Sequence, residues 1–356
     1  MLVVAVLAAA VVGAYACLTV KKAKGLSADA VPAPSPAIDA GEVRWLKGQT
    51  HAHTGNSGDS HTPPLDAARW YARHGFDFVV FTDHNRVTQL PPVDGMLVIP
   101  GMEITQNLKT CSPAPPEGMV CLLHVNALFI DPTKLAQMAE TESVEREVLY
   151  GRAIDVAKQM GALPQVNHPN FMYGADAPLL TRLDARGAHW FEVANTQGDA
   201  NNEGDASHPT TAQMWNDALD HGARLYGMAT DDAHHYDDAE AVRARGEEVF
   251  TGDHGFIMVH ARKSPSEIKA AVERGDFYST NGPKLIALEV GDGGITLQTG
   301  DEAELRFLRG PGGEVVSSIG TRASFSIGDR AWLRAEAHFK DGGVIWTQPL
   351  FAPSRP

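Results

Sequence analysis

From Gly41 onward, short apolar runs alternate with amphipathic stretches of helical period, the rhythm expected of β/α units around a mainly parallel sheet. Strands are predicted at 43–49, 76–81, 96–99, 121–129, 163–166, 190–193, 225–229 and 256–260. Helices are predicted at 63–74, 140–160 and 211–221, each followed by a glycine suited to a left-handed cap (Gly75, Gly161, Gly222). A fourth helix, 264–274, opens on Ser264-Pro265 with Glu267 at the capping-box position. Beyond about Pro283 the pattern changes to short alternating segments at 285–290, 295–297, 303–308, 322–327 and 331–338, split by Gly and Asp. That pattern reads as a small antiparallel β-sandwich-like domain over 286–356.

The first twenty residues read separately. Residues 2–20 carry no charge and end at Lys21 and Lys22, so this segment is a signal peptide or a membrane anchor. Ala14-Tyr15-Ala16 before Cys17 has the small-x-small form of an export cleavage site, while the two lysines would favour a cytoplasmic body on an uncleaved anchor. Residues 23–40, rich in Ala, Pro and Ser, form the heart of a linker over 21–41. Cys111 and Cys121 bracket a Pro-rich loop. They are either two separate thiols or a disulfide, which would stabilise by roughly 2–3 kcal/mol and persist only in an oxidising compartment. Export to the periplasm or the outside is the expectation, with the cytoplasmic membrane face as the alternative.

Composition narrows the function. The 356-residue chain is 43% hydrophobic and 21% charged, as expected of a globular protein. Its formal net charge of -14 argues against a nucleic-acid partner. No phosphate-binding glycine loop, nucleophile elbow or dinucleotide fingerprint occurs. Fifteen histidines are present, and several stand at the ends of predicted strands.

The first strand runs into His51-Ala52-His53, the second into Thr82-Asp83-His84 and the third into Pro100-Gly101-Met102-Glu103. His124 lies within the fourth, Asn167-His168-Pro169 follows the fifth, and Asp231-Asp232-Ala233-His234 follows the seventh. In a β/α barrel these ends share one rim. Imidazole and carboxylate together suit Zn, Mn or Fe. Two histidines spaced i, i+2 on an extended strand face the same way, and a carboxylate such as Glu103 has two oxygens with which to bridge neighbouring ions.

The string His-Ala-His-Thr, Thr-Asp-His-Asn, Pro-Gly-Met-Glu-Ile, His124, Asn-His-Pro and Asp-Ala-His resembles, in order, the PHP (polymerase and histidinol phosphatase) superfamily. The closing Phe277-Tyr278-Ser279-Thr280-Asn281-Gly282-Pro283 and Trp346-Thr347-Gln348-Pro349 are similar to its carbaryl-hydrolase-like branch. The resemblance implies a distorted seven-stranded (β/α) barrel over 42–285, with the small C-terminal antiparallel β domain appended. It also implies two or three divalent ions. His51, His53, Glu103 and Asp232 would hold one; Glu103, His124 and His168 a second; and His84, His234 and Asp59 a third, with His61 an alternative to Asp59. The Asp-x-His spacing selects Asp232 over Asp231. Asp83 would orient the site without binding metal.

The expected activity is hydrolysis of a small-molecule phosphomono- or phosphodiester by a metal-bridging hydroxide. Glu103 and Asp232 would hold the reacting centre, and His234 would assist the leaving group. Asn195, His208 and His235 would line the substrate mouth. Two alternatives are a carbamate, amide or carboxyl-ester hydrolase on the same ions, and a surface-anchored metal-containing binding protein. The membrane would be met only through the N-terminal segment.

Overall fold

The structure is a computed structural model that describes residues 41–291 and 293–353. The predicted leader, and all of the linker except Gly41, lie outside the described residues. Among the described residues no helix is long and apolar enough to cross a membrane.

The strands are β1 (Arg44–Gln49), β2 (Phe78–Phe81), β3 (Leu97–Leu108), β4 (Cys121–Leu128), β5 (Leu163–Val166), β6 (Trp190–Asn195), β7 (Tyr226–Thr230), β8 (Phe256–Ala261) and β9 (Phe277–Thr280). They continue with β10 (Leu285–Gly291), β11 (Gly294–Gly310), β12 (Glu314–Ser326), β13 (Trp332–His338), β14 (Val344–Thr347) and β15 (Leu350–Phe351). The helices are α1 (Pro64–Arg73), α2 (Arg146–Gln159), α3 (Ala177–Ala185), α4 (Thr211–Asp220), α5 (Ala239–Ala244) and α6 (Pro265–Arg274).

The expected seven-stranded (β/α) barrel does not form. Among the described residues, fifteen strands join in one mixed sheet of order β10-β11-β13-β14-β9-β8-β1-β2-β3-β4-β5-β6-β7, with β12 on β11 and β15 on β13. Only β1-β2-β3 and β5-β6-β7 run parallel; β4 is antiparallel to both neighbours, and β8 is antiparallel to β1 and to β9. β3 and β4, joined by the loop 109–120 without a helix, pair as an antiparallel hairpin. The C-terminal strands are antiparallel, as their alternation predicts. They nevertheless continue the same sheet through the β14–β9 pair.

The length of β3 explains much of the difference. Pro100-Gly101 reads as a strand end, yet the strand passes through it, pairing with β2 up to Pro100 and with β4 from Gly101. A Cβ on Gly101 would lie 2.4 Å from Val80 Cγ1 and 2.9 Å from the Phe81 carbonyl, so only glycine permits this approach. The start of α2 also moves. Ser112 bonds the backbone of Val144 and Arg146, which holds 140–145 outside the helix.

Helices α2, α3 and α4 cover β4 to β7 through Leu149, Ile154, Leu180 and Trp215; burying each such side chain contributes about 1.5–3 kcal/mol. A second cluster joins α1, β2, β8 and the C-terminal strands through Tyr71, Phe81, Phe256, Leu305 and Leu333. The C-terminal strands are tied down by polar contacts as well. Trp332 Nε1 donates to Asp220 (2.9 Å), and Gln348 exchanges two 2.9 Å bonds with the backbone of Gly227 in β7.

Candidate metal centre

The segments that follow β1 and β7 are stitched together by Asp232 N to His51 O (2.9 Å) and His53 N to Ala233 O (2.8 Å). This brings His51-Ala52-His53 beside Asp232-Ala233-His234. Glu103 comes from the middle of β3, not its end, and pairs with Asn126 on one side and bridges to His84 on the other. His124 sits opposite Thr105 on β4, and His168 follows β5.

Three ligand groups result, each able to hold a metal ion: His51, His53 and Asp232; Glu103, His124 and His168; and His53, Asp59, His84 and His234. The first two are buried and the third opens towards solvent. His53 belongs to two groups. Asp59 Oδ2 lies 2.8 Å from His84 Nε2 and 3.5 Å from His234 Nε2, while His61 is exposed and outside the groups. Asp231 is also outside, held by the backbone N–H groups of Asp253, His254 and Gly255.

The donor set fits a cation. Glu103 lies 3.0 Å from His124, 2.8 Å from His84 and 3.5 Å from both His51 and His168. His124 sets Nε2 against Asn107 Oδ1 (2.8 Å) and its buried Nδ1 3.0 Å from Glu103. His51 donates through Nδ1 to Glu192 (2.6 Å), so its Nε2 points at Asp232 (3.2 Å) and at Nε2 of His53 (3.2 Å). Buried lone pairs that face one another need a proton or a cation between them. Nitrogens fixed from behind by carboxylate and amide are the usual support of metal-ligating histidines.

Without an ion, protons serve. Burial opposes the charge on His51, but Asp232, Glu192 and Glu103 outweigh it and raise its pKa well above the usual imidazole value. His84 is raised in the same way, against burial, by Glu103 and Asp59. Burial and the nearby His234 instead push His53 down to about 4. Burial alone would raise Glu103, yet His124, His84 and His51 hold its carboxyl well below the usual range.

The supports were only partly legible. Asp83 accepts from Thr54 N (2.6 Å) and Thr54 Oγ1, fixing the turn after His53, and makes no contact within the ligand groups. Asn195 is buried and donates to Glu192 and Asp232 (3.0 Å each), which ties Asp232 of the first ligand group to Glu192. His208 stacks on Tyr173 at 3.7 Å and bonds Asp205, while His235 accepts from Phe250 N; both lie on partly exposed loop segments. Glu192 was missed altogether. Its signal was a lone charge inside the apolar run Trp190-Phe191-Glu192-Val193, since a charge buried in a strand is paired.

Two ligands sit on strained backbone, His168 at φ 23° and Asp232 at φ 51°. Such residues cost on the order of 1–3 kcal/mol each and persist where their surroundings over-determine them. Here Glu192 accepts from His168 N (2.6 Å), and His51 O accepts from Asp232 N. No protein-family profile matches this chain, and no curated protein does.

Proposed function

We propose that this protein is a metal-dependent hydrolase of small-molecule phosphomono- or phosphodiesters, with a ligand order akin to the PHP superfamily and two or three Zn, Mn or Fe ions. The observation that carries the reading is Glu103, a single buried carboxylate within 2.8–3.5 Å of four histidines drawn from all three ligand groups or their immediate contacts. Such convergence exceeds what a structural ion needs, and the third group is open to solvent, as a reacting site must be. Ions bound there supply Lewis acidity towards phosphoryl oxygens and lower the pKa of a coordinated water.

The chain's own residues set the rest. Four carboxylates (Asp59, Glu103, Glu192 and Asp232) touch the imidazoles, so two divalent ions balance their charge, and a third ion, or a charged His234 in its place, leaves the cluster net positive, which favours an anionic substrate. His234 bonds the Asp232 carbonyl through Nδ1 (2.8 Å) and presents Nε2 towards Asp59. Burial lowers its pKa, but Asp59 and Asp232 raise it above the usual value, so when the third group holds no ion, Nε2 carries a proton that it can deliver to a leaving oxygen. The Cys111–Cys121 disulfide supports an exported location.

The test is to purify the chain from about residue 41, measure bound metal, and compare nitrophenyl phosphate, bis-nitrophenyl phosphate and an aryl carbamate with added Mn or Zn. Turnover of the phosphates with metal bound supports the reading. Turnover of the carbamate alone would replace the substrate class, and absence of metal and of turnover would overturn the proposal.

A further inference from the structure

Glu192 touches no open space, yet it contacts residues of both buried ligand groups. It lies mid-strand in β6, flanked by β5 and β7, and is fully buried. Oε1 accepts from His51 Nδ1 (2.6 Å), Thr230 Oγ1 (2.8 Å) and Gln165 Nε2 (3.2 Å). Oε2 accepts from His168 N (2.6 Å) and Asn195 Nδ2 (3.0 Å), and that same amide donates to Asp232 Oδ2 (3.0 Å). His51 and Asp232 belong to one buried ligand group and His168 to the other.

We infer that Glu192 is a positioning residue that couples the two buried ion sites, so that both depend on one carboxylate that contacts neither ion. The inference rests on the metal reading above. Two features make the coupling physical. The carboxylate is pinned by donors from both flanking strands, so it cannot follow His51 without dragging on His168. The His168 backbone, already in the left-handed region, is held there through its N–H to Oε2. Loss of the charge therefore weakens the donor strength of His51 and releases the strained turn that carries His168. Each effect falls on a different ion. Asn107, by contrast, supports His124 alone.

The experiment is calorimetric titration of the metal-free chain with Zn²⁺, with bound metal counted by mass spectrometry, in wild type, Glu192→Gln and Asn107→Ala. Supports of metal-binding histidines typically contribute 10–100-fold in affinity. Glu192→Gln is expected to weaken two equivalents together by about 10–100-fold, and Asn107→Ala to weaken chiefly one. Loading with Co²⁺ adds a readout that mere loss of stability would not move. The visible absorption of both sites shifts in Glu192→Gln, at a temperature where circular dichroism shows the fold intact. Should that variant not fold, Glu192→Asp keeps the charge but reaches only one of the two histidines, and it too must weaken binding. Wild-type chain that binds Zn²⁺ while Glu192→Gln leaves either buried equivalent unchanged, or Glu192→Asp leaves both unchanged, overturns the coupling alone. Wild-type chain that binds no Zn²⁺ overturns the metal reading and the coupling with it.

Discussion

Nδ1 of His124 stands 3.0 Å from Oε1 of Glu103, and both residues are buried. A buried imidazole nitrogen facing a buried carboxylate needs a proton or a cation between them. Replacing Glu103 by Gln keeps the size but removes the charge and one oxygen donor. At least one metal equivalent should be lost and phosphatase turnover should fall by more than about 100-fold, since even supporting residues contribute 10–100-fold. Metal analysis alongside the assay checks this. Full metal content with wild-type turnover would remove Glu103 from the centre.

The protons that replace metal give a second test. His51 and His84 are held well above the usual imidazole pKa, against burial, by the carboxylates around them, so both are charged at neutral pH in the metal-free chain. Incoming ions must displace those protons. Affinity for Zn²⁺ should therefore rise with pH above neutrality, and at least two protons should leave per fully loaded chain. Titration in buffers of different ionisation enthalpy reads this directly. An observed enthalpy independent of buffer would contradict it.

How much of this could be read from residues alone differs from element to element. His51 and His53 were legible because period two puts both imidazoles on one strand face. The β/α alternation was legible as far as β1–β3 and β5–β7. Strand direction was not, since a buried apolar run looks the same in a parallel or an antiparallel pair. Gly101 looked like a stop and is instead the point where β3 changes partner. Helix α3 went unread despite Asp176, whose side chain accepts from Leu179 N (2.8 Å) as a cap before Pro178. Strands β14 and β15 are too short to announce themselves. Glu192 escaped because attention to strand ends passes over a charge in a strand's middle.

A third test concerns the C-terminal strands. Arg334, fully buried, stacks on Trp215 at 4.4 Å, bonds Asn216 on α4 and pairs with Glu336 at 2.7 Å. Burial would raise Glu336, but Arg334 and His338 hold it down to about 2. A carboxyl lowered on folding adds stability above its unfolded pKa, near 4.5, and that contribution drains away as pH falls from there towards 2. Glu336→Gln leaves Arg334 without a counter-charge, which should cost about 3–5 kcal/mol at pH 7 and flatten the loss of stability between pH 4.5 and 2. Urea unfolding at pH 7, 4 and 3 measures both. Equal acid sensitivity in the two proteins would show that the pair does not govern it.

The disulfide offers a last, separable prediction. Cys111 and Cys121 close a loop of sequence separation 10 at the loop end of the β3–β4 hairpin, where Cys121 lies opposite Leu108. Restricting the unfolded chain over such a loop contributes about 3 kcal/mol. Eight backbone register pairs, from Gly101 with Leu128 to Leu108 with Cys121, hold the hairpin independently of the sulfur bridge and keep Thr105 opposite His124. Cys111→Ser with Cys121→Ser should accordingly lower the unfolding free energy by about 3 kcal/mol while the number of bound metal ions stays as in wild type. Denaturant titration and metal counting on the same samples decide it. A double variant that keeps its stability but sheds the ion at His124 would mean that the bridge, and not the strand ladder, aligns that ligand.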